Sequence, residues 1–236
     1  MTSALNELEE RIISCRLCPR LVAWREEMAA TKRRAYRDQD YWGRPVPGFG
    51  DPDASILAVG LAPGAHGSNR TGRMFTGDAS GDFLYPALYK AGFASQPLSE
   101  NAQDEMRLSG LFISAACRCA PPNNKPLPME IQTCRPFLDA EIKLLAGLKG
   151  FVALGRIAFD WLLDWYKRKG VNVSAMTFGH EAFYTPAPGL PWLLASYHPS
   201  RQNTQTGKLT AAMFARIWET ARGKVSGEVG TETRDE

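Results

Sequence analysis

Four short stretches of the chain are apolar at almost every position. They are residues 55–60 (Ser-Ile-Leu-Ala-Val-Gly), 111–115 (Leu-Phe-Ile-Ser-Ala), 151–155 (Phe-Val-Ala-Leu-Gly) and 192–197 (Trp-Leu-Leu-Ala-Ser-Tyr). Short continuous apolar runs of this kind predict strands buried on both faces. Between them apolar residues recur at helical steps: Phe83, Leu84, Ala87, Leu88 and Ala91; Ile131, Leu138, Ile142 and Leu145; Ile157, Phe159, Leu162 and Trp165. Strands alternating with helices predict an α/β fold with a parallel sheet covered on both sides. Ligands are then expected at the loops that follow the strands' carboxyl ends. Upstream, Leu5, Leu8, Ile12 and Cys15 predict a first helix, with Ser3 or Asn6 as a cap and Pro19 limiting its continuation. Residues 25–53 show no clear period and read as a surface arm with little regular structure. Past Arg222 the aromatics vanish and Gly, Glu and Thr dominate, so 223–236 read as a disordered tail.

Composition narrows the class. The 236 residues are 44% apolar and 22% charged, as in ordinary globular proteins, which excludes wholesale disorder. The length suits one large domain, or one domain with trimmings, on a norm of about 100–200 residues per domain. No apolar run reaches the roughly 18 residues a membrane span needs. The first ten residues are acidic and lack a basic segment followed by an apolar one, so no signal peptide is expected and the compartment is expected to be the cytoplasm. The net charge of +3 conceals an asymmetry, because residues 223–236 sum to −2 and leave +5 on the body. A basic body is a modest pointer to nucleic acid.

The five cysteines are an odd number for a disulfide framework and point to metal or a free thiol. Cys15 and Cys18 form a CxxC pair; Cys117, Cys119 and Cys134 follow far downstream. One pair plus two separated cysteines supplies four thiolates, enough for zinc or an iron–sulfur cluster, and the wide spacing favours the cluster. Cys117 and Cys119 are two apart, so spacing leaves open which of them is a ligand.

Residues 60–81 hold six glycines and lie just after the first strand, where backbone N–H groups can approach a flat or anionic ligand closely. The segment contains no GxxxxGK[ST] phosphate loop. After the last strand comes His198-Pro199-Ser200-Arg201-Gln202-Asn203, a histidine at a strand end leading into a polar loop.

The string Gly60-Leu61-Ala62-Pro63-Gly64-Ala65-His66-Gly67, with Asn69-Arg70-Thr71-Gly72-Arg73 and Phe75-Thr76-Gly77-Asp78 behind it, the His198–Asn203 string and the cysteine arrangement together resemble the uracil-DNA glycosylase superfamily. The closest likeness is its family 5, the type B iron–sulfur uracil-DNA glycosylases, and it runs from about Leu5 to Arg222. The resemblance implies one such domain over residues 1–222, folded as a three-layer αβα sandwich around a four-stranded parallel sheet. It implies a [4Fe–4S] cluster on Cys15, Cys18, Cys119 and Cys134, since Cys119 precedes the Pro121-Pro122 pair as in the family and Cys117 does not; the cluster is expected to brace structure rather than transfer electrons.

The implied activity is hydrolysis of the N-glycosidic bond of an extruded base. His198 matches the residue that donates a hydrogen bond to the departing base. Phe75 matches the aromatic that stacks on that base, and Gly60, Ala62 and Gly64 belong to the loop that lines it. Arg201 and Gln202 match the wedge inserted into the minor groove, with Asn203 beside them on the DNA side. Other families place Asn, Asp or Glu in the first motif to hold the attacking water. Here Ala62-Pro63-Gly64-Ala65 is apolar, so the resemblance moves that task to Asn124, with Asp78 a second polar candidate that also suits a helix cap. Ala115 stands where related families carry an Asn that reads the uracil edge, which implies a broad range of deaminated bases, hypoxanthine among them. The expected partner is DNA containing such bases, and the expected state is a monomer. Two other readings use the same residues: an iron–sulfur protein that binds or covalently crosslinks lesions with little turnover, and a nucleotide-binding enzyme, which the missing phosphate-loop lysine disfavours.

Overall fold

Every residue of the four central strands is buried. The structure, a computed structural model, describes residues 3–227. Its elements run α1 (Ser3–Ile13), α2 (Pro19–Thr31), β1 (Phe49–Gly50), β2 (Ile56–Gly60), α3 (Ser68–Thr71), α4 (Ala79–Lys90), β3 (Leu111–Ala115), α5 (Pro128–Leu144), β4 (Gly150–Leu154), α6 (Arg156–Arg168), β5 (Phe183–Tyr184), β6 (Trp192–Ser196), α7 (Arg201–Gln205) and α8 (Ala211–Ser226).

The sheet corrects the expectation of four parallel strands: it has six and is mixed, in the order β1-β3-β2-β4-β6-β5. The middle four are mutually parallel, and β1 and β5 add antiparallel at the edges. Two-residue edge strands are too short to show a period in sequence. Along each central strand alternate residues enter opposite cores. Ile56, Ala58, Ile113, Val152 and Leu194 pack with Leu84 and Leu88 of α4 and Phe214 and Trp218 of α8. Leu57, Val59, Phe112, Phe151 and Leu193 pack with Leu138 of α5 and Phe159 and Leu162 of α6. Helices therefore cover both faces, as uninterrupted apolar strands require.

Three boundaries also differ from expectation. Pro19 does not end a helix but begins α2, with Cys18 as its N-cap, because the first helical position has no N–H to lose and proline's fixed φ suits it. Residues 25–31 of the expected irregular arm are accordingly helical. The last helix runs through Ser226, four residues past the boundary at Arg222, and ends on Gly227 at φ +75°; the rest of the expected tail lies outside the described residues. Among the described residues no helix is long and apolar enough to cross a membrane.

Candidate functional site

The first strand to leave the sheet's centre, β2, and its neighbour β3 end side by side at Gly60 and Ala115, and His198 lies two residues beyond the end of β6. These three meet in one small pocket, which Ala62, Phe75 and Asp78 also line. The pocket therefore sits outside the carboxyl edge of the parallel strands, where this topology opens a crevice. The Phe75 and His198 rings lie 5.9 Å apart at 32°, and Phe75 holds a left-handed backbone at φ +52°. Gly155 at φ +99° lets the backbone pass close to His198: a Cβ there would lie 3.1 Å from the His198 Cβ. Burial pushes the His198 pKa down to about 4, so its ring is neutral at physiological pH and carries one N–H to donate.

Asp78 is both the cap and the pocket residue that the sequence left as alternatives. Its Oδ1 accepts the N–H groups of Ser80 (2.9 Å) and Gly81 (3.2 Å) at the start of α4. Its Oδ2 faces Gly64 and Gly67: a Cβ on Gly64 would lie 2.8 Å from it, and one on Gly67 would overlap the carboxyl group. Gly64 thus borders Asp78 rather than lining the pocket itself. Burial is the largest influence on this carboxyl and raises its pKa, against the lowering effect of the two backbone N–H groups.

The polar side chains behind the glycine-rich loop are struts. Asn69 is fully buried, and its Nδ2 donates to the carbonyls of Ala65 (3.3 Å) and Arg25 (3.2 Å). Arg70 donates to the carbonyls of His66 and Gly77, bracing the two ends of the loop against each other. Arg73 is buried against Asp104 at 2.6 Å. One such residue was not foreseen in the sequence: His180 accepts the Tyr197 N–H at Nδ1 (3.2 Å), its ring stacks on Tyr197 at 5.1 Å, and its Nε2 lies 3.3 Å from the Met213 carbonyl. It holds the end of β6 immediately before His198. A lone histidine in an irregular loop offers no period or motif that would reveal this.

Not every expected site residue joins the pocket. Asn124 is exposed on the 3-10 turn Pro122–Asn124, at φ +54°, and does not line it. Arg201 and Gln202 are exposed in the first turn of α7, on the far side of Ser200, whose hydroxyl caps that helix. Asn203 faces inward instead, its Nδ2 donating to the His198 carbonyl at 2.8 Å. Its side chain braces the His198 loop from within.

The cysteines gather elsewhere. Cys15, Cys18, Cys119 and Cys134 line one small, largely apolar cavity; Cys117 does not line it, and its thiol lies against the Cys134 sulfur. The Arg25 guanidinium donates to Cys119 Sγ at 2.9 Å, and the Arg118 backbone N–H to Cys134 Sγ at 3.3 Å. Arg20 ties the start of α2 to Glu130 at the start of α5 at 2.6 Å, which brings Cys18 toward Cys134. Among the described residues no three His, Cys, Asp or Glu side chains converge as a cage for a single metal ion. Four sulfurs around one cavity, with N–H donors on two of them, are a donor set that fits an iron–sulfur group. The pocket and this cavity share backbone: β3 continues past its end so that the N–H groups of Ala116 and Cys117 donate to the carbonyls of Gly60 and Leu61.

Comparison with known proteins agrees with this architecture. Residues 47–222 match the family described as "Uracil DNA glycosylase superfamily". The chain is similar to the type-5 uracil-DNA glycosylase of Thermus thermophilus, 57% identical over 88% of this chain and 92% of that protein. It is similar to the type-5 enzyme of Mycobacterium bovis at 48% identity, over 95% and 82% of the two chains, and more distantly to the type-4 uracil-DNA glycosylase of Sulfurisphaera tokodaii at 31%, over 92% and 85%. With a matched family spanning most of the chain and full-length relatives at this identity, the chain belongs to the uracil DNA glycosylase superfamily.

Proposed function

We propose that the protein is a uracil-DNA glycosylase that turns uracil out of DNA and hydrolyses its N-glycosidic bond, leaving an abasic site. The observation that carries this reading is the meeting of Phe75, Asp78 and His198 in one pocket at the strands' carboxyl ends. The glycosidic bond is inaccessible inside a duplex, so the base must leave the stack. Arg201 and Gln202, exposed at the start of α7, fill the gap it leaves, and the 60–67 loop and the Phe75 ring receive it. As the bond breaks, negative charge develops on the base and positive charge on the sugar. The neutral His198 ring donates its N–H to the base oxygen that gains charge, a preorganised donor of the kind generally worth roughly 10²–10³ in rate. Asp78 Oδ2, the carboxylate oxygen left free by the helix cap, orients the attacking water and accepts its proton, or steadies the sugar cation. Asn124 reaches the nucleophile only if the exposed Pro122–Asn124 turn closes over bound DNA. Ala115 presents no polar group to the base edge, which supports a substrate range extending to other deaminated bases such as hypoxanthine.

Cys15, Cys18, Cys119 and Cys134 would hold a [4Fe–4S] cluster, which when bound crosslinks the chain's N-terminal segment to the loop after β3 and takes no part in base removal. The test is incubation with a uracil-containing duplex followed by alkali. Strand breaks at uracil support the enzyme, and an alkali-stable protein–DNA adduct would replace it with the crosslinking reading. A hypoxanthine duplex treated in the same way tests the wider range.

A further inference from the structure

Two arginines are buried beside the cysteine cavity, and among the described residues each keeps at least one guanidinium nitrogen without a hydrogen-bond partner. Arg25 and Arg118 are each 1% exposed. Arg118 has one carboxylate partner, Glu141, at 2.5 Å, yet its Nε and Nη1 have no hydrogen-bond partner. Among the described residues Arg25 has no buried carboxylate partner. Its one acidic neighbour, Glu26, is 3.8 Å away on the surface and is bonded to Arg16, and the Arg25 Nε is without a partner. A buried guanidinium lacking an anion is strongly destabilising, so such a group implies that an anion belongs beside it. The remaining contacts of Arg25 say where: both terminal nitrogens donate to the Cys15 carbonyl at 3.3 Å, and Nη1 donates to Cys119 Sγ at 2.9 Å.

We propose that Arg25 is the counterion of the group held by Cys15, Cys18, Cys119 and Cys134, and the clasp that joins its N-terminal ligands to Cys119. The inference rests on the cluster reading above. Four thiolates around an iron–sulfur core carry net negative charge, and this cavity is too apolar to hold that charge without a cation. Arg25 supplies the charge, and its planar fork bonds two ligand-bearing segments at once, which a lysine ammonium does less well. Its own backbone carbonyl accepts from Asn69, so the clasp is fixed from behind.

The test uses the purified holoprotein. Arg25→Gln should bleach in air with chelator about 10- to 100-fold faster than wild type, the usual cost of losing a group that supports a metal ligand. Its cluster midpoint potential should shift negative, because removing a positive charge disfavours adding an electron. Arg25→Lys keeps the charge, so it should hold the wild-type potential while bleaching faster. A merely structural residue would change the bleaching rate but not the potential. Wild-type bleaching and potential in Arg25→Gln would overturn both the counterion and the clasp and leave the cluster reading standing. Wild-type protein isolated without iron and sulfide would remove the cluster reading itself. If Arg25→Gln yields no soluble protein, Arg25→Lys decides: unchanged bleaching would overturn the clasp.

Discussion

Asp78 gives one oxygen to the start of a helix and sets the other against Gly64 and Gly67 beside the pocket, and under the proposed mechanism this arrangement separates stability from activity. A carboxyl whose folded pKa is raised by burial contributes stability below the unfolded value and loses it as pH rises through the folded value. Asp78→Asn keeps an oxygen for the Ser80 and Gly81 N–H groups and removes the buried charge. The variant should therefore melt at or above the wild-type temperature at pH 7, and its single-turnover excision should fall by about 10²–10⁴, the usual span for a lost general base. Calorimetry and excision kinetics on one preparation check both halves; equal activity would pass the water to Asn124, whose own Asn124→Ala variant is the matched comparison. In wild type the acid limb of the rate should lie above the pKa of an ordinary aspartate. His198 behaves in the opposite sense: its pKa is lowered to about 4, so it adds stability above the ordinary value of 6.5 that is lost as pH falls toward 4. Because the ring is already neutral, the excision rate should show no inflection near 6.5. His198→Ala should cost roughly 10²–10³ in single-turnover rate, with DNA affinity unchanged by titration; a collapse in affinity with intact chemistry would make His198 a DNA contact. In sequence Asp78 reads as cap or catalyst; the structure shows the cap and places the same residue on the pocket wall, which leaves the chemical role to the Asp78→Asn experiment.

At the scale of elements, legibility followed burial. The four central strands could be read because each is apolar at nearly every position, and their helices because one face alone meets the sheet. Four helices have no counterpart in the sequence reading: the short α3 and α7, and the longer α2 and α8, which escape for identifiable reasons. In α2 the buried positions are Leu21, Val22 and Arg25, and a buried arginine breaks the apolar period that would have marked the helix. In α8 Phe214, Ile217, Trp218 and Ala221 do recur at helical steps, but the run merges into the polar tail, which masks the helix in sequence. The short α7 matters more than its length suggests. Ser200 caps it, Asn203 turns back to His198, and Arg201 and Gln202 project outward, so one turn separates the residue that holds the His198 loop from those proposed to meet DNA. Arg201→Ala with Gln202→Ala should slow excision from duplex DNA and leave excision from single strands near wild type, since only the duplex has a stack to hold open. Equal loss on both substrates would place these residues in the chemistry instead.

Across the whole molecule, the cysteine cavity and the His198 pocket are two ends of one framework. The continuation of β3 pairs with the 60–61 backbone, and Asn69 bonds both Arg25 and Ala65. Cys119→Ala should abolish the brown colour expected of a cluster-bearing protein, and Cys117→Ala, outside the cavity, should keep it; iron analysis of the two variants checks this, and the reverse result would exchange the ligands. That choice was not legible from spacing, because two cysteines two apart share the same side of an extended chain, and it was the family likeness that separated them. The shared carboxylate of Asp78 also bears on how the gene itself can decay. A codon for aspartate becomes one for asparagine through a single G·C-to-A·T transition, the scar that an uncorrected deaminated cytosine leaves behind. At position 78 that scar would spare the helix start and so the fold, and under the proposed mechanism it would yield a folded protein that still binds the lesion and removes it slowly. A cell carrying it would lose most of this repair without losing the protein, and the bound, slow copies would stand in the way of any other enzyme able to act there.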